Sequence, residues 1–319
     1  MNRVRLLHVT EFDYDGPVSE SYNEVRLQPC DDEDQHCVGF RLRTQPTSSP
    51  TASRDYFGTW VHRFNVMARH RRLRVEAESV VMTQDPAVDV GRGETLAAVD
   101  RQRATLLDEH YDFLVPSTYV PVAGGIAPLL RAAEGASGET AAGFARALTT
   151  LVRDSFRYAT GATRVHSTVH DVLAAGAGVC QDFAHLLIAL ARARGLPARY
   201  VSGYLIPADA QDGGNGIEQV IGGRASHAWA DVFVPGAGWV GLDPTLGTTT
   251  SARHIRVAHG RDYGDVAPVR GVYRGQAGQR LSVNVLMRPA VDDDGCEHLS
   301  ETIDPAPEPP SDALPQQQQ

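Results

Sequence analysis

The stretch Gly176-Ala177-Gly178-Val179-Cys180-Gln181-Asp182-Phe183-Ala184-His185-Leu186-Leu187-Ile188-Ala189-Leu190 decides how this 319-residue chain is read. Phe183, Leu186, Leu187 and Leu190 recur at i, i+3, i+4 and i+7, the spacing of one helix face, and Gly195 and Pro197 end the run. Cys180 therefore falls in the first turn of a helix entered through glycines. A thiol is a useful nucleophile only as thiolate, and a helix N-terminus favours that form through unpaired N–H groups and the positive end of its dipole. The glycines at 176 and 178 allow close backbone approach. They would leave the sulfur exposed at a cleft floor, with its own N–H available to a developing oxyanion. Taken alone, a cysteine in such a place is more often a small buried hydrophobe.

The residues downstream change that balance. Ala198 to Ile206 reads as a strand, 226–234 and 238–243 as two more, joined by the turn Pro235-Gly236-Ala237-Gly238. His227 opens the first strand of this hairpin, where an imidazole base is held on a rigid element. Asp243 ends the second, just before Pro244, and could meet the ring across the hairpin and fix its tautomer. The order is Cys180, His227, Asp243, each on the element its role needs. Between them, Asp209 to Gly223 is a Gly-rich polar loop, expected to be a mobile lid over the cleft.

Outward from this core, residues 3 to 83 alternate apolar and polar positions in short segments rich in Val, Phe, Tyr and Thr. Arg3 to Asp13, Ser21 to Leu27, Val38 to Thr44, Thr59 to Val66 and Leu73 to Met82 are the expected strands of a β-rich domain over residues 1–83. Residues 84–137 show few clear periods and read as a connection with some short elements. From 138, Phe144, Leu148, Leu151 and Val152 mark an amphipathic helix that begins the second domain, residues 138–295. Val269 to Tyr273 and Arg280 to Met287 read as the strands that close it. The Pro- and Gln-rich residues 296–319 cannot bury a core and are expected to form a disordered tail.

Composition narrows the function classes. With 42% hydrophobic and 22% charged residues the chain is that of a packed globular protein. A net charge of −9 argues against a nucleic-acid partner, which needs concentrated Lys and Arg. Arg69-His70-Arg71-Arg72 has no interleaved aromatics and reads as a solvated strand end. No apolar run is long enough to span a bilayer and no secretory signal is legible, so no membrane partner and a cytoplasmic location are expected. The four cysteines are then free thiols rather than a disulfide framework.

Cys180, His185, His227 and Asp243 are all possible zinc ligands, and His166 and His170 stand at i, i+4. Cys180 and His185, however, diverge by roughly 140° around a helix, and no metal-binding spacing is present. Cys30 and Cys37 bracket an acidic loop read as solvated, and Cys296 reads as an exposed thiol. Trp229, Trp239 and Tyr204 lie near the three residues in sequence and read first as core packing. Gln181 and Asp182 read as shaping the helix start.

Gly178-Val179-Cys180-Gln181-Asp182-Phe183-Ala184-His185, Gly195-Leu196-Pro197-Ala198-Arg199-Tyr200-Val201-Ser202-Gly203-Tyr204, His227-Ala228-Trp229 and Gly238-Trp239-Val240-Gly241-Leu242-Asp243-Pro244-Thr245 together resemble the bacterial transglutaminase-like proteins. The N-terminal region resembles the domain preceding the core in that family, in His8-Val9-Thr10, Tyr14-Asp15-Gly16-Pro17-Val18, Asn23-Glu24-Val25-Arg26-Leu27 and Asp55-Tyr56-Phe57-Gly58. The resemblance spans about residues 3–290. It implies an α+β chain in which an N-terminal β-sandwich-like domain precedes a papain-like transglutaminase core of helices packed on an antiparallel sheet. It also implies a catalytic set of Cys180, His227 and Asp243, with no required cofactor and no metal. The expected function is cysteine-dependent acyl transfer on a peptide or amide substrate, hydrolytic in the first instance, with transfer to an amine as a variant. The rival class is a noncatalytic peptide- or protein-binding module, and in either case the N-terminal β domain could dock a protein partner.

Overall fold

The computed structural model describes residues 2–87, 93–207 and 226–290. The lid expected at 209–223, Cys296 and the tail at 296–319 lie outside the described residues. The chain opens with strands β1 (Asn2–Val25), β2 (Gln35–Gln45), β3 (Thr51–Arg54), β4 (Trp60–Val66) and β5 (His70–Thr83). Helices α1 (Leu96–Arg101), α2 (Arg103–Glu109), α3 (Ala127–Ala136) and α4 (Ala141–Ser155) follow. A short parallel pair, β6 (Arg157–Tyr158) and β7 (Ala177–Gly178), brackets α5 (Val169–Ala175) and leads into α6 (Cys180–Ala193). Next come β8 (Ala198–Leu205), β9 (His227–Val234), β10 (Gly238–Asp243), β11 (Thr248–Thr249) and β12 (His254–Gly260). A helical turn, α7 (Tyr263–Val266), precedes β13 (Val269–Arg274) and β14 (Gln279–Pro289).

β1 builds the N-terminal sandwich by serving both of its sheets. Its first half lies between β5 and β14, with β2 beyond β5. Its second half lies between β4 and β13, with β3 beyond β4. The ladder with β5 slips between Asp13 and Val18, where Pro17 has no N–H to donate and the strand can turn from one sheet to the other. Tyr14, Val18, Val25, Leu27, Phe64, Leu73 and Val75 fill the space between the sheets. Leu6, Val81 and Val285 join a second core shared with the helices.

Two differences from the sequence reading have physical causes. The strands expected at Arg3 to Asp13 and Ser21 to Leu27 are one continuous element, because the Asp-Gly-Pro turn signal is spent on a bend rather than a loop. The short elements expected within residues 84–137 are, among the described residues, α1, α2, α3 and a 3-10 turn at Tyr111–Phe113; α1, for example, is capped by the Thr95 hydroxyl accepting from Ala98 N–H. The segments around 269–273 and 280–287, grouped in the sequence reading with residues 138–295, hydrogen-bond to β1 instead.

The sheet beside α6 is antiparallel, in the order β11-β10-β9-β8-β12. Helix α6 packs against β8 and β9 and is buried from Gln181 to Arg192 on nearly every side. That is why Ala184, Ile188 and Ala191 extend its apolar character beyond one face. Ala228, Ala230, Val232 and Val234 of β9 belong to the same core. Arg192 ties the far end of α6 to its surroundings, donating to the carbonyls of Val115, Ala198 and Arg261 at 3.0, 2.9 and 2.7 Å.

Candidate active site

Cys180 is the first residue of α6 and is half-buried. Gly176 ends α5 with φ of +59°, a left-handed cap suited to glycine. Two residues on, a Cβ at Gly178 would stand 2.7 Å from Asp182 Cβ, so only glycine allows this approach. Asp182 Oδ2 accepts from Val179 N–H at 2.8 Å and from the Thr163 hydroxyl at 2.5 Å, closing the first turn of the helix. Burial pushes its pKa up to about 6, against the pull of those two hydrogen bonds. Gln181 Nε2 donates to Val165 O at 2.9 Å. Both side chains thus fasten the loop before the helix.

His227 and Asp243 meet across the β9–β10 hairpin with their side chains wholly buried. The ring's Nε2 and Asp243 Oδ2 are 2.6 Å apart. Asp243 Oδ1 accepts from the N–H groups of Thr245 and Leu246 at 2.8 and 3.1 Å, the turn that follows Pro244. Burial alone would push the Asp243 pKa up, yet His227 and the hydrogen bonds hold it far below the usual carboxylate range. An ionised carboxylate only accepts, so Nε2 carries a proton. Burial likewise disfavours the charged imidazole, but Asp243 and then Cys180 raise the His227 pKa well above its ordinary value. Among the described residues His227 Nδ1 is buried without a hydrogen-bond partner, and Cys180 and Asp243 both act on the ring. The three residues singled out from the sequence are thereby brought together at the N-terminus of α6.

Two neighbours were not foreseen. His254, at the start of β12, places Nε2 3.2 Å from Asp243 Oδ2. The alternation of His254, Arg256 with Ile255, Val257 was the available strand signal, though it says nothing about the partner. Tyr158 stands edge-on to Phe183, ring centroids 6.0 Å apart. Burial, followed by the negative charges of Cys180, Asp182 and Asp243, keeps its phenol protonated well above the usual range. It is a neutral phenol at the start of α6, where its oxygen accepts from the Cys180 backbone N–H.

Other sequence candidates have different roles. Tyr204 O–H and His8 Nδ1 are 2.8 Å apart, joining the two domains. Trp239 stacks under Arg199, 4.3 Å from the guanidinium, among Phe113 and Phe233. Trp229 is buried against Gly203, where a Cβ would stand 2.7 Å from the indole. His185 Nε2 accepts from Tyr263 N–H at 3.1 Å, and its ring stacks on Tyr119. In the acidic loop Asp32 pairs with Arg256 at 3.0 Å. Ligand atoms of His227, Asp243 and His254 lie within 4.8 Å of one another, close enough to surround a cation. Both imidazoles, however, are in hydrogen-bond contact with one carboxylate oxygen, and a cation would have to part them.

Residues 129–244 match the model of the transglutaminase-like superfamily, and residues 4–82 that of the bacterial transglutaminase-like N-terminal region. An uncharacterized protein of Mycobacterium leprae is 36% identical over 286 residues, covering 89% of this chain and 98% of its own. An uncharacterized Mycobacterium tuberculosis protein is 34% identical over 295 residues, 85% of this chain and 87% of its own. A Cytophaga hutchinsonii protein, solved as a candidate cysteine protease, shares the fold with a TM-score of 0.68 over 92% of each chain at 23% identity. Among the described residues no helix is long and apolar enough to cross a membrane. The chain belongs to the bacterial transglutaminase-like family.

Proposed function

We propose that this protein is a cysteine-dependent acyl-transfer enzyme that opens an amide or peptide bond through a Cys180 thioester, resolved by water. The observation that carries the reading is the tautomer at His227. Its Nε2–H is committed to Asp243 at 2.6 Å, which leaves the buried Nδ1, unpartnered among the described residues, for the sulfur. A raised His227 pKa favours a ring that takes up a second proton, the one the reaction draws from the sulfur.

The sulfur attacks the amide carbon, the C–N bond breaks, and the amine departs with the proton from Nδ1. Water then attacks the thioester while Nδ1 takes its proton, the C–S bond breaks, and the carboxylic acid leaves. One amide and one water become one acid and one amine. Charge on the tetrahedral oxygen would be met by the Cys180 N–H at the start of α6 and by the Tyr158 O–H. An amine in place of water would give a transferase by the same steps.

Unblocked and end-blocked peptide mixtures are to be incubated with the protein, with and without glycine ethyl ester, and read by mass spectrometry. Cys180-dependent products carrying one added water support hydrolysis, and ester adducts redirect the reading to transfer. No product in either arm that depends on Cys180 would leave the binding-module reading in its place.

A further inference from the structure

The proposed reaction leaves unused a buried imidazole that touches Asp243. His254 Nε2 lies 3.2 Å from Asp243 Oδ2, and Ser251 N–H donates to His254 Nδ1 at 3.1 Å. A ring nitrogen that accepts an N–H has a free lone pair, so the proton of this ring sits on Nε2, aimed at the carboxylate. Turning the ring over would break both bonds, and Trp229 stands edge-on against it with centroids 5.2 Å apart.

The turn carrying His254 is fastened by the N-terminal domain. Asn2 Nδ2 and the Thr83 hydroxyl donate to Ala252 O at 3.0 and 2.5 Å, and Ala252 N–H donates to Asp85 Oδ1 at 2.9 Å. From the core side, Arg253 Nε donates to Ile206 O at 2.9 Å. The paired strand ends at Asn2 and Thr83 thus grip the residue two positions before His254.

We propose that His254 is a positioning residue of the active site: its Nε2–H completes a four-donor shell around Asp243, and the N-terminal β domain holds it there. The other three donors are His227 Nε2 and the N–H groups of Thr245 and Leu246. A buried carboxylate with fewer donors is a stronger base and competes for the proton that His227 must keep. His254 therefore acts through Asp243, keeping the charge on the carboxylate and the His227 ring aligned with Cys180. The inference rests on the Cys180, His227 and Asp243 reading and gives the N-terminal domain a part in it.

The test is site-resolved alkylation by iodoacetamide at pH 6 in wild type, His254→Ala and His254→Gln, with Cys37 as internal reference and thermal midpoints recorded. The Ala variant is expected to label Cys180 about tenfold more slowly, since a hydrogen bond to a charged group is lost. Gln, which restores an N–H donor at similar reach, should return the rate to within about threefold of wild type, with Cys37 unchanged throughout. An Ala variant as fast as wild type, or a folded Gln variant as slow as Ala, overturns the proposal. Should the Ala variant not fold, the Gln variant decides by the same two rates. Wild type labelling Cys180 no faster than Cys37 would bring down the triad reading itself, a separate and recognisable failure.

Discussion

Replacing Asp243 by Asn keeps the shape of the side chain and removes its charge. The amide oxygen can still accept from Thr245 and Leu246 N–H, but the amide NH2 then faces Nε2 of both His227 and His254, which are donors. Two charge-assisted bonds of roughly 1.5–3 kcal/mol each are lost. Relief of carboxylate desolvation offsets part of that, for a net destabilisation of about 3 kcal/mol. At roughly 2 °C per kcal/mol for a chain of this size, the midpoint falls by about 6 °C near pH 6.

The pH dependence is the sharper signature. Asp243 has a depressed folded pKa, so its contribution is present above the unfolded value of about 3.9 and fades as pH falls. His227 is raised to about 10, so its contribution is full below about 6.5 and is lost as pH rises through 10. These are two sides of one interaction and count once. Thermal melts of wild type and Asp243→Asn from pH 3 to 10 should therefore show a gap widest between about pH 4 and 6.5 and closing on both sides. The Asn variant should also lose about 10³–10⁴-fold in turnover, because His227 must move its proton to Nδ1 to accept from the amide. A gap that is absent, or constant with pH, would refute the pairing.

Gly178→Ala places a Cβ 2.7 Å from Asp182 Cβ; it should cost about 1–3 kcal/mol in a urea melt and slow Cys180 alkylation, and wild-type values on both would contradict the described helix entry. Tyr158→Phe should reduce acyl transfer by about 10–100-fold while leaving Cys180 alkylation unchanged, which separates an oxyanion donor from a group that activates the sulfur. Asp182 has a folded pKa raised to about 6, so the stability it lends is full below about 3.9 and is lost as pH rises through 6. The midpoint of Asp182→Asn relative to wild type should accordingly rise between pH 4 and 7, by an amount equivalent to up to about 3 kcal/mol, and a flat difference would count against the burial of that carboxyl.

The parts of the site that local pattern encodes were legible in the sequence. The four apolar positions from Phe183 to Leu190 give the helix and hence the place of Cys180. The Pro235 to Gly238 turn sets an antiparallel hairpin in which Leu242 pairs with Ala230, bringing Asp243 to the His227 end. Long-range sheet order carries the rest. β12 lies beside β8, not β10, and a bulge between Arg256 and Ala258 breaks its alternation, so nothing near His254 in sequence announces Asp243. Tyr158 sits in a two-residue strand too short to show a period. The pairing of β14 with β1 joins residues nearly the whole described chain apart, and non-local contacts of this kind leave no mark in a window of sequence.

The most direct test of the central claim is the rate of Cys180 alkylation in the native protein, resolved by peptide mass spectrometry from pH 5 to 9, in wild type and His227→Ala. Cys30, whose pKa burial pushes up to about 12, and half-buried Cys37 serve as internal references. The account predicts that Cys180 labels fastest of the three at pH 6, and that the advantage disappears without His227. Equal rates at Cys180 and Cys37 in wild type, or an advantage that survives the loss of His227, would contradict an activated Cys180 and with it the acyl-transfer reading.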